Sequence, residues 1–307
     1  MSAGRSVTVR APAKINLHLG VGAPREDGFH PLMTVYHAIG LYDDVTVADA
    51  DDWAVEVSAV GGVDVSAVPL DDSNLVVRAG RALVAHHGVR RAARIRVRKG
   101  IPVAGGMAGG SADAAAALVA LDRLWDLETS DADLFDLAAG LGSDVPFGLV
   151  GGNALGTGRG EVVEQLPGAD VPRWWVVVTA PAGLSTPAVY RRFDELSPDA
   201  PAEPRAPHRL VAFLSDPADA VAPLLHNDLQ PAALDLRPEL ADVLAAGEAA
   251  GALRGLVSGS GPTCVFWCAD ADAARAVAGV LTEEHGSDRV LVATGAVAGA
   301  HVVEYDR

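Results

Sequence analysis

Cysteine is scarce in this chain, and its placement argues against a disulfide. The two cysteines among 307 residues are Cys264 and Cys268. They flank the apolar residues 265–267, and the whole run predicts a buried strand. Four residues along a strand span roughly 13 Å, whereas a disulfide needs Cα atoms less than about 7 Å apart. The sequence therefore predicts two buried free thiols.

Long hydrophobic runs and metal-binding motifs are missing as well. The chain has no run of about 18 apolar residues and no apolar signal segment near its start. We therefore expect a soluble cytoplasmic protein that does not act at a membrane. The HExxH, paired CxxC and EF-hand patterns are also absent, so no metal site built by the protein alone is expected.

Basic residues are too few to give this chain a basic surface. The formal net charge of −16 at pH 7 argues against a nucleic-acid partner, because such a partner needs a basic face. Of the 24 basic residues, two are lysines, Lys14 and Lys99. Codon bias toward arginine explains the general pattern. A retained lysine nevertheless suggests a position that needs a compact ammonium group.

A glycine-rich loop followed by an Ala-rich helix is the most informative feature that is present. Residues 102–125 carry four glycines, then Ser111 as the predicted helix N-cap and Asp113 in the predicted first turn. Glycines let backbone amides approach an anion, and a helix N-terminus adds unpaired N–H groups. The stretch predicts a phosphate cradle. It matches neither the P-loop nor the GxGxxG pattern, and the alternative is a flexible loop before a core helix.

The order of elements predicts an α+β chain of two domains. Strands and helices interleave without the regular βαβ repeat of a doubly wound sheet. A Leu-Pro-Gly break at 166–168 predicts an N-terminal domain over 1–167 and a C-terminal domain over 168–307. The N-terminal strands are expected at residues 6–19, interrupted at Pro12, and at residues 35–41 and 44–48.

Four further patches carry side chains suited to catalysis or binding. Lys14 and Asn16 stand two apart on a predicted strand and so share one face. Asp144 lies in a Gly-Ser-Asp-Val-Pro turn, and the Gly-Phe-His turn at 28–30 offers an aromatic face and an imidazole. Residues 258–263 form a second glycine-rich loop. Taken singly, Asp144 is better explained as a turn-capping residue. The alternative for Lys14 is a solvated strand residue, which the rarity of lysine in this chain argues against.

In this order along the chain, the patches resemble the three motifs of the GHMP kinase superfamily. The matching stretches are Pro-Ala-Lys-Ile-Asn-Leu at 12–17, Gly-Gly-Met-Ala-Gly-Gly-Ser-Ala-Asp-Ala at 105–114 and Gly-Ser-Gly-Pro-Thr at 259–263. The resemblance implies a two-domain fold, with an N-terminal domain like domain 2 of ribosomal protein S5 and a ferredoxin-like C-terminal domain. It also implies an enzyme that phosphorylates a small molecule with ATP, with Mg²⁺ as the counter-ion of ATP.

Further marks resemble the branch of the superfamily that takes a cytidine-diphosphate-linked substrate. They are Asp-Gly-Phe-His at 27–30, Asn-Leu-Val-Val-Arg-Ala at 74–79, Ser-Asp-Val-Pro at 143–146 and Asn-Asp-Leu-Gln at 227–230. They imply phosphorylation of the 2-hydroxyl of 4-diphosphocytidyl-2-C-methyl-D-erythritol in the non-mevalonate isoprenoid precursor pathway. Two alternatives stay open: another small-molecule GHMP kinase of the homoserine or mevalonate type, and a non-catalytic nucleotide-binding sensor. Retention of both Lys14 and Asp144 counts against the sensor.

The resemblance implies a role for each candidate residue. Asp144 would take or orient the proton of the substrate hydroxyl, and Lys14 would stabilise its charged form and the migrating phosphoryl group. Asn74 and Lys99 would lie near the nucleoside of ATP, and Ser111 could reach Mg²⁺, although no carboxylate cage for a metal is implied. The implied ATP-binding residues are Asn74, Lys99, Pro102, Val103, Ala104, Gly105, Gly106, Met107, Ala108, Gly109, Gly110 and Ser111. The implied substrate-binding residues are Asn16, Phe29, His30, Thr186 and Tyr190, with cytosine against Phe29 and Tyr190 and hydrogen-bonded by His30.

Three positions depart from the family pattern. Phe29 stands where the family usually has tyrosine, so a hydroxyl contact is lost while ring packing is kept. Met107 replaces the usual leucine of the loop, and Ala108 replaces a glycine. The methyl group of Ala108 would disturb the cradle if this residue needs a positive φ. The sequence does not give the oligomeric state.

Overall fold

Two long antiparallel strands organise the chain, for which the computed structural model describes residues 5–103 and 105–306. The strands are β1 (Ser6–Val21), β2 (Leu32–Ala50), β3 (Ala54–Ala59), β4 (Ala92–Lys99), β5 (Asn153–Thr157), β6 (Val162–Leu166), β7 (Arg173–Val178), β8 (His226–Asn227), β9 (Arg254–Val257), β10 (Cys264–Cys268), β11 (Val290–Gly295) and β12 (His301–Asp306). The helices are α1 (Leu75–His87), α2 (Gly109–Trp125), α3 (Asp131–Leu141), α4 (Val145–Val150), α5 (Thr186–Leu196), α6 (His208–Phe213), α7 (Ala218–Val221), α8 (Gln230–Leu236), α9 (Glu239–Ala249) and α10 (Ala271–His285).

The predicted interruption of the first strand at Pro12 is wrong. β1 continues through Pro12, which pairs with Tyr42 before the register with β2 shifts. Ala13 pairs next with Ile39, so β2 carries two extra residues at this point. A proline is tolerated in a strand where a bulge removes the need for its missing N–H donor. The two short strands expected at 35–41 and 44–48 are for the same reason one strand, β2.

β2 is the hub of the sheet, because successive segments of it pair with different strands. Residues 34–37 pair with β5, Ile39 pairs with β11, and residues 44–50 pair with β4. The main strand order is β12-β1-β2-β11-β7-β10-β9. The predicted α+β class is confirmed. The division at 167/168 stays a prediction, since the sheet is hydrogen-bonded across both halves and β12 returns to β1.

Two apolar cores lie against this sheet. In the first, the small side chains of α2 let the helix approach the sheet closely, and most of its residues are buried. The second core packs α5, α8, α9 and α10 around β7 and β10. Cys264 and Cys268 are buried free thiols in β10, as predicted. The hairpin of β5 and β6 and the helix α10 were not predicted from the sequence.

The helices were also compared with the requirements of a membrane span. Among those in the described residues, none has both the length and the apolar character that a membrane span requires.

Candidate active site

The glycine-rich loop leads directly into α2, but the helix begins earlier than predicted. Gly109 is the first helical residue and Ala108 is the N-cap, so Ser111 lies inside the first turn instead of capping it. The prediction of Ser111 as the cap is therefore wrong, because Gly109 and Gly110 take up helical geometry themselves. Asp113 lies beyond the first turn and is buried, so its predicted role next to the helix dipole is also wrong.

Ala108 adopts the left-handed conformation that glycine normally supplies. Its φ is +56° and its ψ is +33°. This conformation is uncommon for residues with a Cβ atom, and alanine accepts it because its side chain is a single methyl group. Alanine thus replaces the family's glycine at a position that does have a positive φ. The loop nevertheless forms with the methyl group present.

The loop is fastened on both sides by hydrogen bonds to other motifs. The backbone N–H of Lys14 donates to the Met107 carbonyl at 3.2 Å. The Ser258 hydroxyl donates to the Gly106 carbonyl at 3.2 Å. A Cβ atom on Gly106, whose φ is +76°, would collide with the Ser258 carbonyl oxygen. The three motifs therefore meet at one place in the fold, and glycine at 106 makes the closest approach possible.

A pocket of about 330 Å³ opens beside this loop. It brings together most of the residues expected to bind ATP, but Met107 is buried in the core and Ser111 lies in the first turn of α2. Ala104 lies outside the described residues. The expected residues that line the pocket are Asn74, Lys99, Pro102, Val103, Gly105, Gly106, Ala108, Gly109 and Gly110.

Asn74 and Lys99 each have a structural role at the wall of this pocket. The Asn74 side chain accepts from the Val76 N–H at 3.0 Å and so caps α1, the ordinary alternative to nucleotide binding. The Lys99 ammonium is buried and lies between the carboxylates of Asp43 and Asp113, 2.6 Å from the latter. Burial and these two carboxylates leave Lys99 with little freedom to follow a ligand.

Asp113 holds an unusual position in this cluster. One carboxylate oxygen accepts from Lys99, while Oδ1 is buried without a hydrogen-bond partner among the described residues. Burial raises the pKa of Asp113 to about 8, although the charge of Lys99 opposes this shift. Asp113 and Asp43 thus share one buried lysine.

A larger cleft of about 660 Å³ lies on the other side of the loop. Gly106 and Ala108 line both spaces, so the loop forms the boundary between them. The cleft brings together all the residues expected for catalysis and substrate binding. They are Lys14, Asn16, Phe29, His30, Asp144, Thr186 and Tyr190.

At the floor of the cleft, Lys14 faces Asp144. The Lys14 ammonium donates to Asn16 Oδ1 at 2.9 Å, which confirms that both side chains share one face of β1. Its nitrogen lies 3.7 Å from Asp144 Oδ2, an ion pair slightly too long for a direct hydrogen bond. Asn16 is in turn held by Thr34, whose hydroxyl accepts from the Asn16 amide at 2.7 Å. Side chains of β1 and β2 thereby hold the Lys14 ammonium toward Asp144.

Aromatic and imidazole rings form another part of the cleft lining. His30 Nδ1 lies 2.8 Å from the Gly22 carbonyl and donates to it, since a carbonyl can only accept. The His30 and Tyr190 rings pack at 5.0 Å between centroids, whereas Phe29 is 51% exposed at the rim. The guanidinium of Arg159 lies 4.9 Å from the centre of the Phe29 ring.

Thr186 joins this part of the cleft to the second glycine-rich loop. Its hydroxyl lies 2.8 Å from that of Ser260, and Gly259 and Ser260 also line the cleft. The helix α5 thus carries both Thr186 at its first residue and Tyr190 one turn later.

Several residues of this cleft were not predicted from the sequence. Tyr36 donates its hydroxyl to Asp144 Oδ1 at 3.0 Å, and Arg159 and Arg191 bring positive charge to the lining. An aromatic residue inside β2 is indistinguishable from core packing in the sequence alone. The two arginines carried no signal either, because arginine is the common basic residue of this chain.

The comparisons with known proteins agree with the motifs. The chain matches the family model of the GHMP kinases N terminal domain over residues 74–152 and that of the GHMP kinases C terminal over residues 210–288. A protein of Nocardioides sp. named 4-diphosphocytidyl-2-C-methyl-D-erythritol kinase is 62% identical over 298 residues, which are 97% of this chain and 100% of the relative.

Solved structures give the same result for the fold. A crystal structure of 4-(cytidine 5'-diphospho)-2C-methyl-D-erythritol kinase superposes with a TM-score of 0.75 at 33% identity, covering 94% of this chain and 98% of the other. Homoserine kinase from Cytophaga hutchinsonii superposes with a TM-score of 0.73 at 19% identity over 99% of both chains, a likeness of fold alone. The chain therefore belongs to the GHMP kinase superfamily, and within it to the family of the 4-diphosphocytidyl-2-C-methyl-D-erythritol kinases.

Proposed function

We propose that this chain transfers the γ-phosphoryl group of ATP to the 2-hydroxyl of 4-diphosphocytidyl-2-C-methyl-D-erythritol. The main support is that one cleft is lined by a lysine–aspartate pair, an imidazole beside an aromatic ring, and the glycine-rich loop. The 62% identity to a kinase of this name over nearly the whole chain supports the same substrate. The chain is a small-molecule kinase of the non-mevalonate isoprenoid pathway.

Lys14 and Asp144 would act on the substrate hydroxyl, and their geometry supports this part of the proposal. The Lys14 ammonium and Asp144 Oδ2 are 3.7 Å apart and are not directly hydrogen-bonded. A substrate hydroxyl can therefore contact both groups. Asp144 then orients or accepts the hydroxyl proton, and Lys14 stabilises the negative charge of the oxygen and of the migrating phosphoryl group. Phosphoryl transfer depends mainly on such positioning and charge neutralisation.

The pocket of about 330 Å³ fits the nucleoside of ATP, with the phosphates over the loop. The backbone of residues 105–110 and the N-terminus of the 17-residue helix α2 present N–H groups to an anion. ATP supplies the phosphoryl group when it is bound. Mg²⁺ is usually held by phosphates, water and few protein oxygens, and the Ser111 hydroxyl in the first turn of α2 fits that donor set.

The part of the cleft around His30 and Tyr190 suits a cytosine base. His30 Nδ1 donates to the Gly22 carbonyl, so Nε2, which lies 3.5 Å from Asp194 Oδ1, is the ring nitrogen left for a polar contact with the edge of the base. Tyr190 and Phe29 offer ring faces for stacking. Arg159 and Arg191 add positive charge to the lining, which favours the diphosphate of the substrate.

The rival functions lack comparable support. Homoserine and mevalonate contain no base for the His30 and Tyr190 part of the cleft. The likeness to homoserine kinase extends to the fold alone. A non-catalytic sensor would have no use for the ion pair between Lys14 and Asp144.

An assay with three acceptors tests the proposal. Purified protein, ATP and Mg²⁺ are incubated with 4-diphosphocytidyl-2-C-methyl-D-erythritol, homoserine or mevalonate, and ADP release is measured. We expect turnover with the first acceptor alone. Turnover with another acceptor at a higher kcat/KM would establish a different GHMP kinase. ATP binding without turnover on any acceptor would establish the sensor.

A further inference from the structure

Tyr36 touches the carboxylate of Asp144 but belongs to neither of the sets of residues considered above for catalysis and binding. It lies on β2 directly opposite Asn16 of β1, so its side chain shares the face of Lys14 and Asn16. The residue is 2% exposed, yet it contributes to the lining of the cleft. Its hydroxyl donates to Asp144 Oδ1 at 3.0 Å and lies 3.4 Å from the Gly160 carbonyl. The charged and nearer acceptor is the stronger partner.

The ring of Tyr36 is held firmly from two sides. Phe147, in the helix that starts directly after Asp144, stacks on it with centroids 4.8 Å apart. On the other side, a Cβ atom at Gly156 would come within 2.5 Å of the ring, and one at Gly160 would collide with the hydroxyl oxygen. The hairpin thus provides the space for a tyrosine, hydroxyl included, at this position.

The Tyr36 hydroxyl remains a donor under assay conditions. Burial, followed by the negative charge of Asp144, raises the pKa of Tyr36 well above its usual value. The phenol is therefore protonated at neutral pH and can donate to a carboxylate.

Asp144 has few other restraints. Its side chain makes no hydrogen bond as the N-cap of α4, and the side chain is 32% exposed. In the part of the chain that the structure describes, the Tyr36 hydroxyl is its one hydrogen-bond donor, and Lys14 is its one cationic partner. Without that donor, the carboxylate is free to turn toward Lys14 and form a direct pair. Such a pair would occupy both groups that the substrate hydroxyl must contact.

We infer that Tyr36 is a positioning residue, which holds Asp144 Oδ1 so that Oδ2 faces Lys14 and the substrate hydroxyl. The inference rests on the proposed function, because it concerns the same phosphoryl transfer. It assigns to the Tyr36 hydroxyl an effect on the chemical step and none on the binding of either substrate.

Tyr36→Phe tests this inference, because it removes the hydroxyl and keeps the ring between Phe147 and the hairpin. We expect kcat to fall by roughly 10- to 100-fold, the value of one hydrogen bond to a charged group, with both KM values changed by less than about threefold. Tyr42→Phe removes a hydroxyl from the same strand outside the cleft and should leave kcat unchanged. Thermal unfolding midpoints of the variants, compared with the parent, verify that the ring still packs.

A double-mutant cycle with Asp144→Asn separates a positioning role from a direct one. If Tyr36 acts through the Asp144 carboxylate, adding Tyr36→Phe to Asp144→Asn should change the residual kcat by less than about twofold. A full additional loss in that background would overturn the inference, and so would parental kcat in Tyr36→Phe alone. A parental protein without turnover on the cytidine substrate would overturn the proposed function instead, and this inference with it.

Discussion

The two lysines of this chain occupy environments of opposite character, and Lys14 is the one open to the cleft. Its ammonium donates to Asn16 and stands 3.7 Å from Asp144. Lys14→Arg would keep the charge but place a broad planar group in this gap. A displacement of about 1 Å can cost on the order of 100-fold in rate, and we expect a loss of this size in kcat. The matched control is Arg123→Lys on the exposed side of α2, which should be silent in the same ADP-release assay.

Lys99 is expected to matter for stability more than for catalysis. Its buried ammonium lies between Asp43 and Asp113. Lys99→Met would leave buried carboxylates without their cation, which typically costs about 3–5 kcal/mol. Urea unfolding should show this loss in the free energy of unfolding. An unchanged free energy of unfolding combined with a large rise in the KM for ATP would show that Lys99 serves the nucleotide, as the family resemblance implies.

Tyr190 offers a test of the base-binding part of the cleft. Tyr190→Ala removes the ring that packs at 5.0 Å from His30. Binding of the cytidine substrate should weaken by about 1–3 kcal/mol, the usual contribution of one base–aromatic stack, while ATP affinity stays constant. Titration calorimetry with each ligand measures both values. Tyr190→Phe keeps the ring and should bind normally, whereas equal losses for both ligands in Tyr190→Ala would indicate a structural role.

At the residue scale, the sequence predicted which side chains line the cleft better than it predicted which groups each side chain contacts. Lys14, Asp144, His30 and Tyr190 line one cleft although they are far apart in the chain. Their roles came from matched motifs, and stay predictions. The double carboxylate environment of Lys99 was not predictable, because Asp43 and Asp113 carry no local pattern that separates a buried acid from an exposed one.

The loop before α2 shows what element boundaries depend on. A serine after two glycines is a normal N-cap in sequence terms, yet the helix starts at Gly109 and places Ala108 in the left-handed region. The strand boundary at Pro12 was also predicted wrongly from local sequence. Two extra residues on β2 form a bulge there, and β1 continues through the proline. The first error arises because Gly109 and Gly110 take up helical geometry themselves, and the second because the bulge lies on the neighbouring strand, where the local sequence around Pro12 does not show it.

Substitutions at Ala108 test the importance of this loop geometry. A β-branched residue is a genuine outlier at positive φ, so Ala108→Val should cost about 1–3 kcal/mol of stability. The strain lies in the loop that borders both pockets, and we therefore also expect weaker ATP binding. Ala108→Gly accepts the φ of +56° without strain and should retain ATP affinity. Unfolding curves and ATP titrations of the two variants decide the matter, and equal behaviour would contradict the conformational argument.

Across the whole molecule, a buried histidine connects strands from both halves of the chain. His37 on β2 donates from Nδ1 to Asn153 Oδ1 of β5 at 2.6 Å, and its Nε2 accepts from the Trp175 indole N–H of β7 at 3.0 Å. A second proton on the ring would face the indole donor directly. Burial lowers the pKa of His37 to about 4 from its usual 6.5. The network therefore requires the neutral imidazole.

This network makes global stability depend on pH in a defined direction. As the pH falls below 6.5, His37 is protonated in the unfolded chain, whereas in the folded protein it stays neutral until about pH 4. The contribution of His37 to the free energy of unfolding is therefore complete above pH 6.5 and is lost between pH 6.5 and pH 4. The expected loss at pH 5 is about 2 kcal/mol. Urea unfolding at pH 7 and pH 5 should show that His37→Gln, which cannot titrate, loses less stability on acidification than the parent by that amount. Since His18, whose pKa is also lowered to about 4, is present in both proteins, its effect cancels in the comparison. Identical pH dependence in the two proteins would mean that His37 is protonated as readily in the fold as in the unfolded chain, and would contradict the acceptor role of Nε2 toward Trp175.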